Sequence, residues 1–159
     1  MLHYKILYFW TNAKDMENQS FHFFHQTPVQ IRFNDIDIIG HVNNAVYQNF
    51  FDYGRLNYFT DVFGYRMNWR EKVLVLLKIE IEYLKPIDLH DNIRVLTKVY
   101  QMGNKSLRMQ QHLVGEENDD LRCINQGVLV GYSYPEDETI PLESHWRERI
   151  IKFEKDISF

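Results

Sequence analysis

Asp35, Asp37, His41, Asn43 and Asn44 crowd into ten consecutive residues, in the run Arg32-Phe33-Asn34-Asp35-Ile36-Asp37-Ile38-Ile39-Gly40-His41-Val42-Asn43-Asn44. The run ends where an apolar-periodic segment begins, so it leads into a helix start. A helix start presents unpaired N–H groups and the positive end of a dipole. Such donors polarise a carbonyl or hold an oxyanion. A carboxylate shortly upstream shares that space and can serve as nucleophile or as general base on a water. The combination suits acyl transfer or hydrolysis. The same residue types also have an ordinary use, since Asp and Asn commonly cap helices. Asp35, Asp37 and His41 make an incomplete metal ligand set at no recognised spacing, so neither a metal nor a cofactor is expected. His22 and His25, and the isolated His90, His112 and His145, read as structural or surface residues. Cys123 lacks a histidine at a motif spacing and reads as a packed thiol. There is no Gly-x-Ser-x-Gly elbow, no Gly-x-Gly-x-x-Gly run and no P-loop.

The elements that must position this cluster are legible on both sides. His25 to Phe33 alternates, with Val29, Ile31 and Phe33 on the apolar side, and predicts a strand with Pro28 near its start or at an edge. Asn43 or Asn44 is the natural N-cap of a helix over Ala45–Phe63, with Gly64 as its stop. Tyr47, Phe50, Phe51, Gly54, Tyr58 and Val62 recur at three- and four-residue steps, and Leu56, Phe59 and Phe63 widen the stripe almost around the cylinder. A helix so apolar is expected to be wrapped by other structure. Gly54 inside it costs about 1 kcal/mol relative to alanine and suggests a close backbone approach. Four strands are then predicted: Val73–Leu84, Asn92–Tyr100, Ser106–Val114 and Leu121–Tyr134. A hairpin signal lies at Met102-Gly103-Asn104-Lys105 and an acidic turn at Gly115 to Asp120. Pro135 and Pro141 bracket a loop, and Leu142–Lys155 reads as a short amphipathic helix. The order predicts an α+β domain, one helix packed on a curved antiparallel sheet that is half solvated or completed by a partner subunit.

The 159 residues suit one domain over residues 21–159, with residues 1–20 set apart as an N-terminal extension. Met16 offers an alternative start to the chain. The apolar part of the extension, Ile6 to Trp10, is shorter than the core of a signal peptide, and no stretch is long enough to span a bilayer. A net charge of -4 argues against a nucleic-acid partner. One cysteine fits a reducing, cytoplasmic compartment.

The run Asp35-Ile36-Asp37-Ile38-Ile39-Gly40-His41-Val42-Asn43-Asn44-Ala45-Val46-Tyr47, continuing through Phe51-Asp52-Tyr53-Gly54-Arg55-Leu56-Asn57-Tyr58-Phe59, resembles the hotdog-fold acyl-CoA thioesterases of the 4-hydroxybenzoyl-CoA thioesterase-like group. Tyr83-Leu84-Lys85-Pro86-Ile87 followed by Asp91 resembles the same family's second strand and its turn. The similarity spans roughly residues 25 to 150. It implies a long helix wrapped by an antiparallel sheet, pairing as a homodimer or homotetramer through sheet edges, with active sites at the interface. It implies that Asp37 is the catalytic carboxylate and that the backbone N–H near Asn44 polarises the thioester carbonyl. By the same resemblance His41 and Asn43 orient substrate or water, and Tyr47 and Gly40 touch substrate. Asp35 would be structural. Tyr47, Phe50, Phe51 and Tyr58 suit either an acyl pocket or plain core. Arg94, Lys98, Lys105 and Arg108 suit either the phosphates of CoA or a solvated strand face.

The expected function is therefore hydrolysis of acyl-CoA to free acid and CoA, with Asp37 as nucleophile or general base. Two alternatives stand beside it. One is a thioesterase acting on acyl carrier protein, which would need a basic docking face. The other is a non-catalytic acyl-binding hotdog module, which gives no physical reason to keep Asp37. A hotdog dehydratase would place its histidine and carboxylate in a different constellation.

Overall fold

The computed structural model describes residues 21–64, 67–68 and 70–157; the expected N-terminal extension lies outside the described residues. The chain runs β1 (His25–Val29), a single 3-10 turn (Phe33–Asp35), α1 (Asn44–Phe63), β2 (Lys72–Tyr83), β3 (Ile93–Met102), β4 (Ser106–Gly115), β5 (Leu121–Ser133), β6 (Glu138–Ile140) and α2 (Ser144–Glu154). The strands form one antiparallel sheet in the order β1-β3-β4-β5-β2, with β6 paired to the end of β5. This is the α+β hotdog architecture: a sheet around one long helix.

The period-two pattern delivers the expected face. Val95, Val99, Met109, Leu113, Cys123 and Leu129 are buried toward α1. They fall into two clusters. Tyr47, Phe50 and Phe51 belong to one around the start of α1, and Tyr58, Phe59 and Phe63 to another around its end. The helix has its main sheet contacts with β1 and β3, at the sheet edge away from β2, and α2 packs against it and β3.

Gly54 shows why the helix accepts a glycine. A Cβ placed there would stand 2.6 Å from Val95 Cγ1 and 3.3 Å from Gln111 Nε2. The bare backbone lets Gln111 reach into the helix and donate to the Phe51 carbonyl at 2.9 Å. Gly64 closes the helix in the left-handed region at φ 72, its N–H bonded to the Thr60 carbonyl.

Several expectations are corrected. The first strand ends at Val29 rather than Phe33, because Arg32 N–H donates to Asp35 Oδ2 at 2.7 Å and winds Phe33–Asp35 into a turn. Phe33, placed on the apolar side by alternation, is 81% exposed. The apolar stripe of α1 is narrower than its composition suggests, since Leu56 and Tyr53 are exposed. The second strand carries a bulge at Leu77, which turns that residue outward. Inside the loop between Pro135 and Pro141 a short strand, β6, pairs with β5. The last helix begins at Ser144, two residues later than its apolar pattern starts. Lys98, on a predicted solvated face, is buried with its ammonium 2.6 Å from Asp156 Oδ1 and 3.4 Å from Glu154 Oε2.

Candidate active site

The loop before α1 is held by its own backbone. Ile36 and Val42 form an isolated antiparallel bridge, and Asp37 N–H donates to the His41 carbonyl at 2.9 Å. Between them Ile38 and Ile39 turn the chain, and Gly40 completes the turn at φ 91, a conformation that favours glycine. Asp37 Oδ1 accepts from Ile39 N–H at 2.8 Å, a side-chain turn that fixes its rotamer. Its other oxygen, Oδ2, has no partner among the described residues. Asp35 plays the structural part expected of it. Its carboxylate takes the Arg32 N–H, and its carbonyl takes the Asn43 N–H at 2.8 Å.

Asn43 is the N-cap. Its side chain accepts from Ala45 N–H at 2.9 Å and its carbonyl from Val46 N–H at 2.8 Å. These bonds use up the next two donors of the first turn. The Asn44 N–H has no partner among the described residues. It is a free donor at the positive end of a 20-residue helix.

The opposite wall comes from the end of β2 and the turn after it. Val42 N–H donates to the Ile87 carbonyl, and His41 bridges to Asp88 through backbone, with Nε2 3.6 Å from Asp88 Oδ1. Tyr83 donates its hydroxyl to the Asn44 carbonyl at 3.0 Å and stands edge-on to Tyr47, ring centres 5.0 Å apart. Burial raises the Tyr47 phenol to about 12, with Cys123 and Tyr83 nearby adding to the effect, so it stays protonated at neutral pH. These walls enclose an open cleft of about 450 Å³.

Asp37, His41, Asn43, Asn44 and Tyr47 all line that cleft, so five of the six residues expected from sequence converge on one space. Gly40 does not line it and serves as the turn residue behind it. Tyr83, with Leu84, Lys85 and Pro86, lines the cleft and was missed as site residues. The motif Tyr83-Leu84-Lys85-Pro86 was visible, but nothing in a linear reading places it across from residue 44. Lys85 is engaged by Asp120. Cys123 is buried, and loss of solvation pushes its thiol up to about 12, which suits a packing role and not a nucleophile. Among the described residues no three His, Cys, Asp or Glu side chains gather as a metal site would require. No helix among them is long and apolar enough to cross a membrane.

An antiparallel sheet around one helix, with a carboxylate and a helix start facing one cleft, is the frame in which the family is recognised. The chain belongs to the thioesterase-like superfamily, whose family model matches residues 31–150. It is 24% identical over 131 residues to the long-chain acyl-CoA thioesterase FadM of Escherichia coli, covering 82% of this chain and 99% of that protein. A thioesterase from Thermus thermophilus, solved with coenzyme A and zinc, superposes at TM-score 0.75 with 31% identity, covering 86% of this chain and 98% of that one. The 1,4-dihydroxy-2-naphthoyl-CoA thioesterase of Synechocystis shares the fold at TM-score 0.71 and 17% identity, covering 79% and 94% of the two chains. The chain is a thioester hydrolase.

Proposed function

We propose that the protein hydrolyses acyl-CoA to the free acid and CoA at the Asp37 cleft. The observation that carries this reading is the pairing of the unbonded Asn44 N–H with the Asp37 carboxylate across one open space. The thioester carbonyl oxygen accepts from the Asn44 N–H, which stabilises the oxyanion as it forms. A preorganised donor of this kind is worth about 10²–10³ in rate. Asp37 acts on the carbonyl carbon directly or through a water that it deprotonates; both routes need the same carboxylate at the same place. The tetrahedral centre then collapses, the C–S bond breaks and the thiolate leaves and takes up a proton. On the direct route a water then cleaves the acyl–Asp37 anhydride, releasing the acid and restoring the carboxylate. His41 and Asn43 hold the loop and the helix cap that set this geometry, and Tyr47 forms the wall beside the acyl group.

The carrier is read as CoA from the likeness to FadM and to the coenzyme A complex of the Thermus thermophilus enzyme. We further propose that the active form pairs two copies. The outer edge of β2, 12 residues long, is a sheet terminus with unused backbone groups, the kind of edge that pairs with a second chain.

The test is thiol release from short, long and aromatic acyl-CoAs by the wild-type chain and by Asp37→Asn, which keeps the shape and removes the charge. We expect the variant to lose at least about 10²-fold in kcat with an unchanged melting temperature. Unchanged activity in the variant would keep the enzyme and remove Asp37 from its site. Release from acyl carrier protein thioesters alone would replace the carrier.

A further inference from the structure

Four backbone groups flank the Cα of Asn44, and three of them are bonded. The Asn43 carbonyl accepts from Val46 N–H at 2.8 Å, and the Ala45 N–H donates to Asn43 Oδ1 at 2.9 Å. Both of these bonds close within the cap itself. The third is of another kind. The Asn44 carbonyl accepts from the Tyr83 hydroxyl at 3.0 Å, across 39 positions of sequence. A carbonyl oxygen has two lone pairs and no proton, so the phenol is the donor and the helix's own bonding is left intact. The fourth group, the Asn44 N–H, has no partner among the described residues.

Tyr83 is itself held firmly. It is the last residue of β2 and pairs with Cys123. The next two N–H groups, of Leu84 and Lys85, both donate to the Arg122 carbonyl, at 2.9 and 3.0 Å. The Arg122 guanidinium donates in turn to the Pro86 carbonyl at 2.7 Å. The Tyr83 ring stands edge-on to Tyr47, one helical turn past Asn44, so ring and hydroxyl meet the same first turn at two points. Loss of solvation, with Cys123 nearby, raises the phenol above its ordinary value, so it is a protonated donor at neutral pH.

The first turn is the part of a helix that frays, because its N–H groups lack helical partners. Asn43 shapes that turn but moves with it. What fixes its place in the fold is contact with other elements. Val42 N–H on the Ile87 carbonyl anchors the chain two residues before Asn44. Tyr83 supplies the anchor on the helical side, from a strand that α1 does not lie over. The Asn44 N–H is spanned between the two, facing the cleft whose other wall is Tyr83 to Pro86. Misplacing a catalytic group by about 1 Å costs about 10²-fold in rate.

We propose that Tyr83 is a positioning residue for the hydrolysis, its hydroxyl holding the Asn44 N–H where the thioester oxygen gathers charge. This rests on the thioesterase reading of the cleft and adds to it a residue from the opposite wall. Tyr83 acts through the first turn of α1 and makes no bond to the reacting atoms.

The test is Tyr83→Phe in the full chain, which removes the hydroxyl and keeps the ring against Tyr47. In thiol release from short, long and aromatic acyl-CoAs, kcat should fall about 10- to 100-fold, with KM and melting temperature unchanged. The second readout is the infrared band of a bound ketone analogue of each acyl-CoA, with a methylene in place of the sulfur and carbon-13 at the carbonyl. A carbonyl that accepts a strong hydrogen bond stretches at lower frequency. The wild type should lower that band, Asp37→Asn should lower it as far, and Tyr83→Phe should lower it less. An unchanged kcat, a band equal in wild type and Tyr83→Phe, or a raised KM with kcat intact would overturn the proposal. So would a wild type that binds no analogue or leaves the band where it stands in water. A band that responds to Tyr83→Phe in a chain that releases no thiol would uphold Tyr83 as the anchor of the donor and remove the hydrolase reading of the cleft. Thiol release that ignores the substitution would do the reverse.

Discussion

Two polar constellations in this molecule are built on opposite plans. The Asp37 loop is assembled almost wholly from residues 32 to 47, is held by backbone turns and leaves an N–H and a carboxylate oxygen unused in an open cleft. The Glu154 knot is assembled from distant parts of the chain and leaves nothing unused. Glu154 is fully buried and accepts from the Tyr58 hydroxyl at 2.6 Å, from Val99 N–H at 2.9 Å and from Lys98 at 3.4 Å. Lys98 also meets Asp156 and the His22 carbonyl. The Val99 N–H lies just beyond the start of β1, whose first pair is His25 with Thr97, so the carboxylate takes the place of a preceding strand residue. Unused polar groups next to solvent are available for a substrate, whereas a closed network locks α2 and the N-terminal segment onto the sheet. The difference teaches that clustered polar residues can either close on one another or leave groups open to solvent, and the order of their bonds tells the two apart.

Breaking the knot should have the largest effect on stability. Glu154→Ala leaves Lys98 buried with one carboxylate fewer and the Val99 N–H bare, and should cost about 3–5 kcal/mol, read by urea denaturation. Thiol release per folded molecule should hold, the mirror image of Asp37→Asn. Burial raises the Glu154 carboxyl above its ordinary value, the surrounding donors offsetting only part of that. The folded state therefore keeps its proton longer, and this group's contribution falls as pH rises from about 4.5 upward.

A second buried group should respond to pH with the opposite sign. His112 lies under the Phe23 ring, its Nε2 3.0 Å from the Gln110 amide, and burial lowers its imidazole to about 4. The unfolded chain binds the extra proton between pH 6.5 and about 4, so stability falls as pH drops through that window. The loss should be roughly 3 kcal/mol at most. Relative to the wild type, His112→Gln should raise the denaturation midpoint at pH 5 against that at pH 7.

Gly54→Ala tests the close approach of β3 and Gln111 to α1. The new methyl meets Val95 and crowds Gln111, so the variant should lose about 1–3 kcal/mol, although alanine favours helix; calorimetric melting reads it. The smallest effect is expected at the cap. Asn43→Ala should cost about 1 kcal/mol and also lower kcat, because a frayed first turn misplaces the Asn44 N–H. A loss of stability with kcat intact would separate the cap from the site and weaken the contrast drawn above.

The sequence by itself determined the density of Asp35, Asp37, His41, Asn43 and Asn44, an N-cap at Asn43 or Asn44, the helix stop at Gly64 and most strand spans. These are local facts: a turn, a cap and a period-two face are each written in neighbouring residues. The convergence of Asp37, His41, Asn43, Asn44 and Tyr47 was legible for the same reason, since all lie within eleven positions. Only the tertiary structure decided that Tyr83 faces Asn44, that Lys98 and Glu154 share a buried knot, and that Gln111 reaches across to the Phe51 carbonyl. Each of these depends on which strands become neighbours and how far the helix sits across them. Strand order and helix placement are set by packing the whole core, and no window of sequence contains them.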